Sequence, residues 1–214
     1  MENEEEETKY NFEHPKITKL SEIDLYATYT YADYLRWDIR ERLEIIKGKI
    51  FEMSAPNRNH QEIAGTVFTR LHNYLEGQSC KVYSAPFDVR LPNLSKEDDK
   101  VYTVVQPDIC VIFDQSKLDF NGCIGAPDLV VEILSPGNNK KDLNIKYNLY
   151  EEVGVKEYWI IFPSERTLIA HILNKESKFE PQPALVEGDV LISSALPGFE
   201  LPLDVVFKGV VEER

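Results

Sequence analysis

No apolar run in the chain approaches the roughly 20 residues that a helix needs to cross a bilayer, so a membrane-spanning protein is not expected. The N-terminus, Met1-Glu2-Asn3-Glu4-Glu5-Glu6-Glu7, is the electrostatic opposite of a secretory signal, and cytoplasmic residence is the expectation. Cysteine is scarce: Cys80, Cys110 and Cys123 are odd in number and lack the C-x-x-C spacing of a zinc site, which excludes a disulfide framework. They read as small buried or half-buried side chains. Basic residues are also short, 24 against 37 acids for a net charge of −13. A non-specific phosphate binder normally carries the opposite balance, so any contact with nucleic acid needs local positive charge from a metal ion or a few Lys and Arg. Only four histidines are present, and there is no G-x-S-x-G, no P-loop, no G-x-G-x-x-G after a strand and no H-E-x-x-H.

What is present is enough for a folded core, since 43% of the 214 residues are hydrophobic and spread in short runs. Residues 1–10 read as an acidic disordered tail, because like charges without apolar partners cannot offset the entropy of ordering. Residues 11–214 read as a single domain without repeats or linkers. Periodicity predicts a helix at about 31–42, a tight hairpin of 43–46 and 49–53 turning at Lys47-Gly48, and a long helix at about 59–76 with Ile63, Val67, Leu71 and Leu75 on one face. Strands follow at about 81–91, 104–113 and 129–134, then a helix at 140–153 ended by Gly154, a strand at 157–162 and a hairpin-like region over 167–180. This order predicts an α/β (α+β) fold, a mixed sheet covered by helices.

Three charged positions break that pattern. Asp108 interrupts the apolar run 104–112, where a strand period of two sets it on the face of Cys110 and Ile112; Glu132 does the same between Val130 and Leu134. Ionised carboxylates inside a sheet are costly unless a cation, a hydrogen-bond network or a raised pKa compensates them. Two of them suggest a shared cation; the alternative is that each sits at a strand end, bonded to backbone N–H groups. On the helix 140–153, steps of about 100° put Lys146 inside the apolar arc of Leu143, Ile145, Leu149, Tyr150 and Val153. It is either paired with Asp142 one turn earlier or aimed into the cleft of Asp108 and Glu132. His60, in the first turn of the long helix, faces the core as a buried, hydrogen-bonded or a catalytic histidine. Of the nearby acids, Glu62 is turned away, and Glu44 lies on the pleat face opposite Ile45. Ser135-Pro136-Gly137 reads as a turn.

The ordered set Leu43-Glu44-Ile45-Ile46-Lys47-Gly48-Lys49-Ile50, Asn59-His60, Gln106-Pro107-Asp108-Ile109, Gly125-Ala126-Pro127-Asp128-Leu129-Val130-Val131-Glu132-Ile133-Leu134-Ser135-Pro136, Asp142…Lys146…Tyr150 and Gly154-Val155-Lys156-Glu157-Tyr158-Trp159-Ile160 resembles the Uma2 restriction endonuclease family over about residues 30–175. That family is similar to the PD-(D/E)XK nucleases, whose fold is a restriction-endonuclease-like central mixed β-sheet flanked by helices. The resemblance implies a metal-dependent endonuclease acting on nucleic acid, DNA before RNA, with homodimers expected. It implies Asp108, Glu132, Lys146 and His60 as site residues. Mg²⁺ or Mn²⁺ would be held by Asp108, Glu132 and the backbone carbonyl of Ile133, and Lys146 would orient or deprotonate the attacking water. Leu134 stands where the motif has its lysine, and Lys146 from the following helix is the implied replacement. The rival reading is a catalytically silent binding or scaffold protein that kept the sheet.

Overall fold

A computed structural model of the protein describes residues 17–135 and 140–212, with side chains from residue 143 in the second span. The tail expected over residues 1–10, the turn at Pro136-Gly137 and the side chain of Asp142 lie outside the described residues. The chain forms four α-helices among these residues, α1 (Tyr31–Tyr34), α2 (Arg58–Leu75), α3 (Lys140–Val153) and α4 (Leu203–Phe207). Its strands are β1 (Leu43–Ile46), β2 (Lys49–Glu52), β3 (Lys81–Ser84), β4 (Asp88–Arg90), β5 (Val104–Val105), β6 (Ile109–Ile112), β7 (Leu118–Asp119), β8 (Gly122–Ile124), β9 (Leu129–Ile133), β10 (Glu157–Phe162), β11 (Thr167–Leu173), β12 (Phe179–Pro181), β13 (Leu185–Val186), β14 (Val190–Ile192) and β15 (Glu200–Pro202).

The mixed α/β architecture holds two large sheets instead of one central sheet. One runs β12-β11-β10-β9-β6-β3, with β13 beside β11, and the other runs β2-β1-β5-β4-β8-β7; β14 and β15 form a separate ribbon. β9 and β10 are parallel, joined by the α3 crossover, while β6 pairs antiparallel with β9 on its other side. Central strands buried on both faces carry near-continuous apolar runs, and β9 and β10 do so.

Three predicted elements are divided differently, each for a visible reason. The strand expected at 81–91 breaks at Ala85-Pro86, and the strand expected at 104–113 breaks at Pro107; proline has no N–H to give a ladder. At both breaks the chain crosses from one sheet to the other, and the crossings are tied together where the Ala85 N–H donates to the Asp108 carbonyl at 3.0 Å. The helix expected over 31–42 stops at Tyr34. Its start is fixed by a capping box between Thr30 and Asp33, but residues after Leu35 are drawn away by the bridge between Trp37 and Ile17. The hairpin turn is as expected: Lys47 and Gly48 have φ of 51° and 78°, the left-handed pair that a two-residue turn requires.

Apolar faces set the layers. Ile63, Val67 and Leu71 of α2 pack with Phe207 of α4 against Ile109, Val111, Leu129, Val131, Ile133 and Trp159 on one face of the larger sheet. The opposite face carries Cys110, Val130, Tyr158 and Ile160, which meet Leu149 and Tyr150 of α3 and Ile46, Val89 and Val105 of the second sheet. Glu132 follows Val130 on this second face, so its carboxylate enters the seam between the two sheets and α3. Cys110 and Cys123 are buried, Cys80 is half-buried, and all three are free thiols.

Candidate functional site

A cleft of about 150 Å³ opens in that seam, lined by Glu44, His60, Asp108, Glu132, Ile133 and Lys146 among others. The sequence-predicted residues Asp108, Glu132, Lys146 and His60 and the Ile133 backbone therefore share one cavity.

Glu132 is delivered from the penultimate position of β9, whose β-branched run fixes its face. Its Oε1 accepts from the Tyr150 hydroxyl at 2.7 Å and from Lys146 Nζ at 2.9 Å. Both bonds fall on Oε1, and Oε2 has no partner among the described residues. Asp108 is placed otherwise than strand periodicity predicts. It precedes β6, at the point where the chain crosses between sheets, and its Oδ2 accepts the Ile133 N–H at 2.7 Å. The carboxylate thus extends the ladder just before β6 begins, in the plane of the sheet instead of on the face of Cys110. Because N–H and C=O of one strand residue point to the same side, the Ile133 carbonyl is turned toward Asp108 as well. The other oxygen, Oδ1, lies 3.0 Å from His60 Nε2. His60 is held in the first turn of α2, where its backbone N–H donates to the capping side chain of Asn57 at 2.9 Å. Its Nδ1 is buried with no hydrogen-bond partner among the described residues, as is the hydroxyl of Tyr158 at the cleft wall.

Lys146 comes from α3 and turns into the cleft, one of the two placements that its position in the apolar arc left open. Its ammonium lies 2.9 Å from Glu132 Oε1 and 2.9 Å from Glu44 Oε1. Glu44 is the residue that sequence reasoning missed. β1 is paired on both sides, with β2 and β5, and all four of its residues are buried, so the face opposite Ile45 is buried as well. The signal was available: Glu44 breaks Leu43-Glu44-Ile45-Ile46 just as Glu132 breaks β9. The Gln106 N–H completes the setting by donating to Glu44 Oε1 at 2.8 Å. Tyr150, read as an apolar-arc residue, is the other unforeseen contributor.

The charges are unbalanced. Three carboxylates with side-chain exposures of 4% for Glu44, 8% for Glu132 and 12% for Asp108 surround one ammonium and one imidazole. Burial pushes the Glu132 carboxyl up to about 7, with Asp108 and Glu44 adding to the rise while Lys146 and Tyr150 oppose it. Burial alone would lower Lys146, but Glu132 and Glu44 more than offset it and hold the ammonium well above the ordinary lysine range.

Among the described residues no group of three or more His, Cys, Asp or Glu side chains forms a ready metal cage. The donors at hand, Glu132 Oε2, the Ile133 carbonyl and an Asp108 carboxylate whose oxygens already meet the Ile133 N–H and His60 Nε2, suit a hard cation that takes few protein oxygens and keeps its waters.

A sequence profile of the Uma2 family, described as "Putative restriction endonuclease", matches residues 31–204. The chain is 31% identical over 120 residues to the uncharacterized protein slr1290 of Synechocystis sp., a match spanning 55% of this chain and 60% of that relative's length. A crystal structure from Anabaena variabilis, titled "a putative nuclease belonging to DUF820", superposes with a TM-score of 0.66 at 19% identity, covering 86% of this chain and 99% of that one. At that identity the likeness concerns the fold alone. No helix among the described residues is long and apolar enough to cross a membrane.

Proposed function

From the chain's membership of the Uma2 family, established by the match over residues 31–204, we propose that the seam cleft is the active site of a Mg²⁺- or Mn²⁺-dependent endonuclease that hydrolyses phosphodiester bonds, DNA before RNA. The observation that carries this reading is the surplus of buried negative charge at the cleft. Glu44, Asp108 and Glu132 leave the cleft short of positive charge even with Lys146 in place, and a divalent cation supplies it.

Asp108, Glu132 and the Ile133 carbonyl are the groups that would hold the ion. When bound, such an ion polarises a phosphoryl oxygen and acidifies a water molecule. The remaining roles belong to the chain's own residues. Lys146, paired with Glu132 and Glu44, orients or deprotonates the attacking water and stabilises charge on the phosphate. It reaches the Glu132 carboxylate from α3, which compensates for Leu134 at the motif position. His60 orients Asp108 through Nε2 and leaves Oδ2 to the Ile133 N–H. Tyr150 and Gln106 fix Glu132 and Glu44.

Incubation of the purified full chain with supercoiled plasmid, linear duplex, single-stranded DNA and RNA tests this. Cleavage with Mg²⁺ or Mn²⁺, absent with EDTA and reduced at least 100-fold in Glu132→Gln, is expected. Absence of cleavage on every substrate would instead favour the silent binding protein.

A further inference from the structure

A second cleft, of about 180 Å³, shares His60 and Asp108 with the first and runs from them past Ala85 and the Gln61–Gly65 side of α2 to Arg42. The two clefts thus meet at the His60–Asp108 contact. At Gly65 the wall is bare, and even an added Cβ would meet nothing within 4 Å.

Arg42 differs from the other buried and half-buried arginines among the described residues. Arg90, Arg166 and Arg36 each lie within 4 Å of a carboxylate. No carboxylate comes within that distance of Arg42 among the described residues. Its Nε and Nη2 instead donate to Gln106 Oε1, at 3.2 and 2.9 Å. The acceptor is neutral, so the guanidinium is oriented without being neutralised. Gln106 is buried and cannot turn freely, because its Nε2 donates to Asp88 Oδ1 at 2.8 Å and to the Tyr34 hydroxyl at 3.1 Å while its backbone N–H holds Glu44. In a chain with 37 acids and 24 bases, a fixed guanidinium without a counterion, beside a cleft that adjoins the reaction centre, is a place built for an anion.

We propose that Arg42, held by Gln106, binds a backbone phosphate of the substrate next to the scissile one, so that the nucleic-acid strand runs from the first cleft across His60 and Asp108 into the second. This rests on the nuclease reading and adds to it a phosphate subsite and the direction of the strand.

The test is the salt dependence of binding by the full chain to short fluorescent single-stranded and duplex DNA, with Ca²⁺ replacing Mg²⁺, alongside cleavage kinetics in Mg²⁺. Each neutralised phosphate adds about 0.7 (single strand) to 0.9 (duplex) to the slope of log K against log salt. Arg42→Gln is expected to lower the slope by about that amount and raise KM roughly tenfold, with kcat within a few-fold of the parent. Arg42→Lys, which keeps the charge, retains the slope, and so does Arg40→Gln, altered at an exposed position outside the cleft. Parental slope and KM in Arg42→Gln, or an equal loss in Arg40→Gln, would overturn the subsite while leaving the nuclease reading intact. A parent that neither binds nor cleaves any nucleic acid would overturn both.

Discussion

Two buried charge clusters in this molecule solve opposite problems. Around Arg90 the cation is buried, with 3% side-chain exposure, while its partners Asp98 and Asp119 reach solvent at 24% and 40%. The guanidinium lies 5.0 Å from the centre of the Tyr31 ring, and its charge is closed off within the fold. At the cleft the anions are buried and a single ammonium serves two of them. Burial by itself does not mark a site. Glu157 is more deeply buried than Glu132, yet one of its oxygens accepts from Trp159 Nε1 at 2.7 Å and the other from Ser193 Oγ and the Ala195 N–H at 2.8 and 2.7 Å. Glu157 closes its account with neutral donors, whereas Glu132 keeps one oxygen open toward a cavity. What separates the cleft cluster, the proposed site, from the other two is a carboxylate oxygen without a partner facing a cavity.

Removing the cation from each cluster gives the sharpest contrast. Lys146→Met leaves Glu44 and Glu132 buried without a counter-charge, and breaking such a buried pair costs about 3–5 kcal/mol. Glu44→Gln added to it restores much of that stability, since one neutralised carboxyl relieves the repulsion, but does not restore cleavage. Chemical denaturation of the single and double variants measures both; a Lys146→Met protein as stable as its parent would break the comparison. Arg90→Met has a smaller effect, about 1–2 kcal/mol, because Asp98 and Asp119 can return to water. Cleavage by the folded Arg90→Met protein should equal that of the parent, and its loss would place Arg90 in the working site.

The smallest effect concerns a buried imidazole away from the cleft carboxylates. His171 packs edge-on against Tyr147, 5.2 Å between ring centres, and burial lowers its pKa below the ordinary value of about 6.5. A depressed pKa means that the unfolded chain takes up the proton first, so this contribution is present above about pH 6.5 and is lost as pH falls through the folded-state value. His171→Gln should flatten the decline of the melting temperature below pH 6.5; an unchanged profile would contradict the assignment.

Much of the layout was legible because it is written in local periodicity. The apolar stripe of α2, the continuous runs of β9 and β10, and the Lys47-Gly48 turn each depend on neighbours within a few residues. Lys146 was legible for the same reason, as a charge inside a helical arc. The crossings at Pro86 and Pro107 were signalled by residues that cannot complete a ladder, but which sheet each half joins depends on pairing with distant strands. Glu44 breaks an apolar run as visibly as Glu132 does, but the burial of its face depends on the distant β5 and α3. Arg42 was hidden because the amide that holds it lies 64 residues away.

The most direct test of the central claim, that the buried carboxylates of the cleft await a divalent cation, is a thermal melt of parent and Asp108→Asn with Mg²⁺ or Mn²⁺ against EDTA. At 100-fold excess over Kd, binding to the folded state alone adds about 2.7 kcal/mol, or roughly 5–10 °C for a chain of this size. That rise is expected in the parent and should vanish in Asp108→Asn. A parent whose midpoint does not move, or an Asp108→Asn protein that gains as much as the parent, would contradict it.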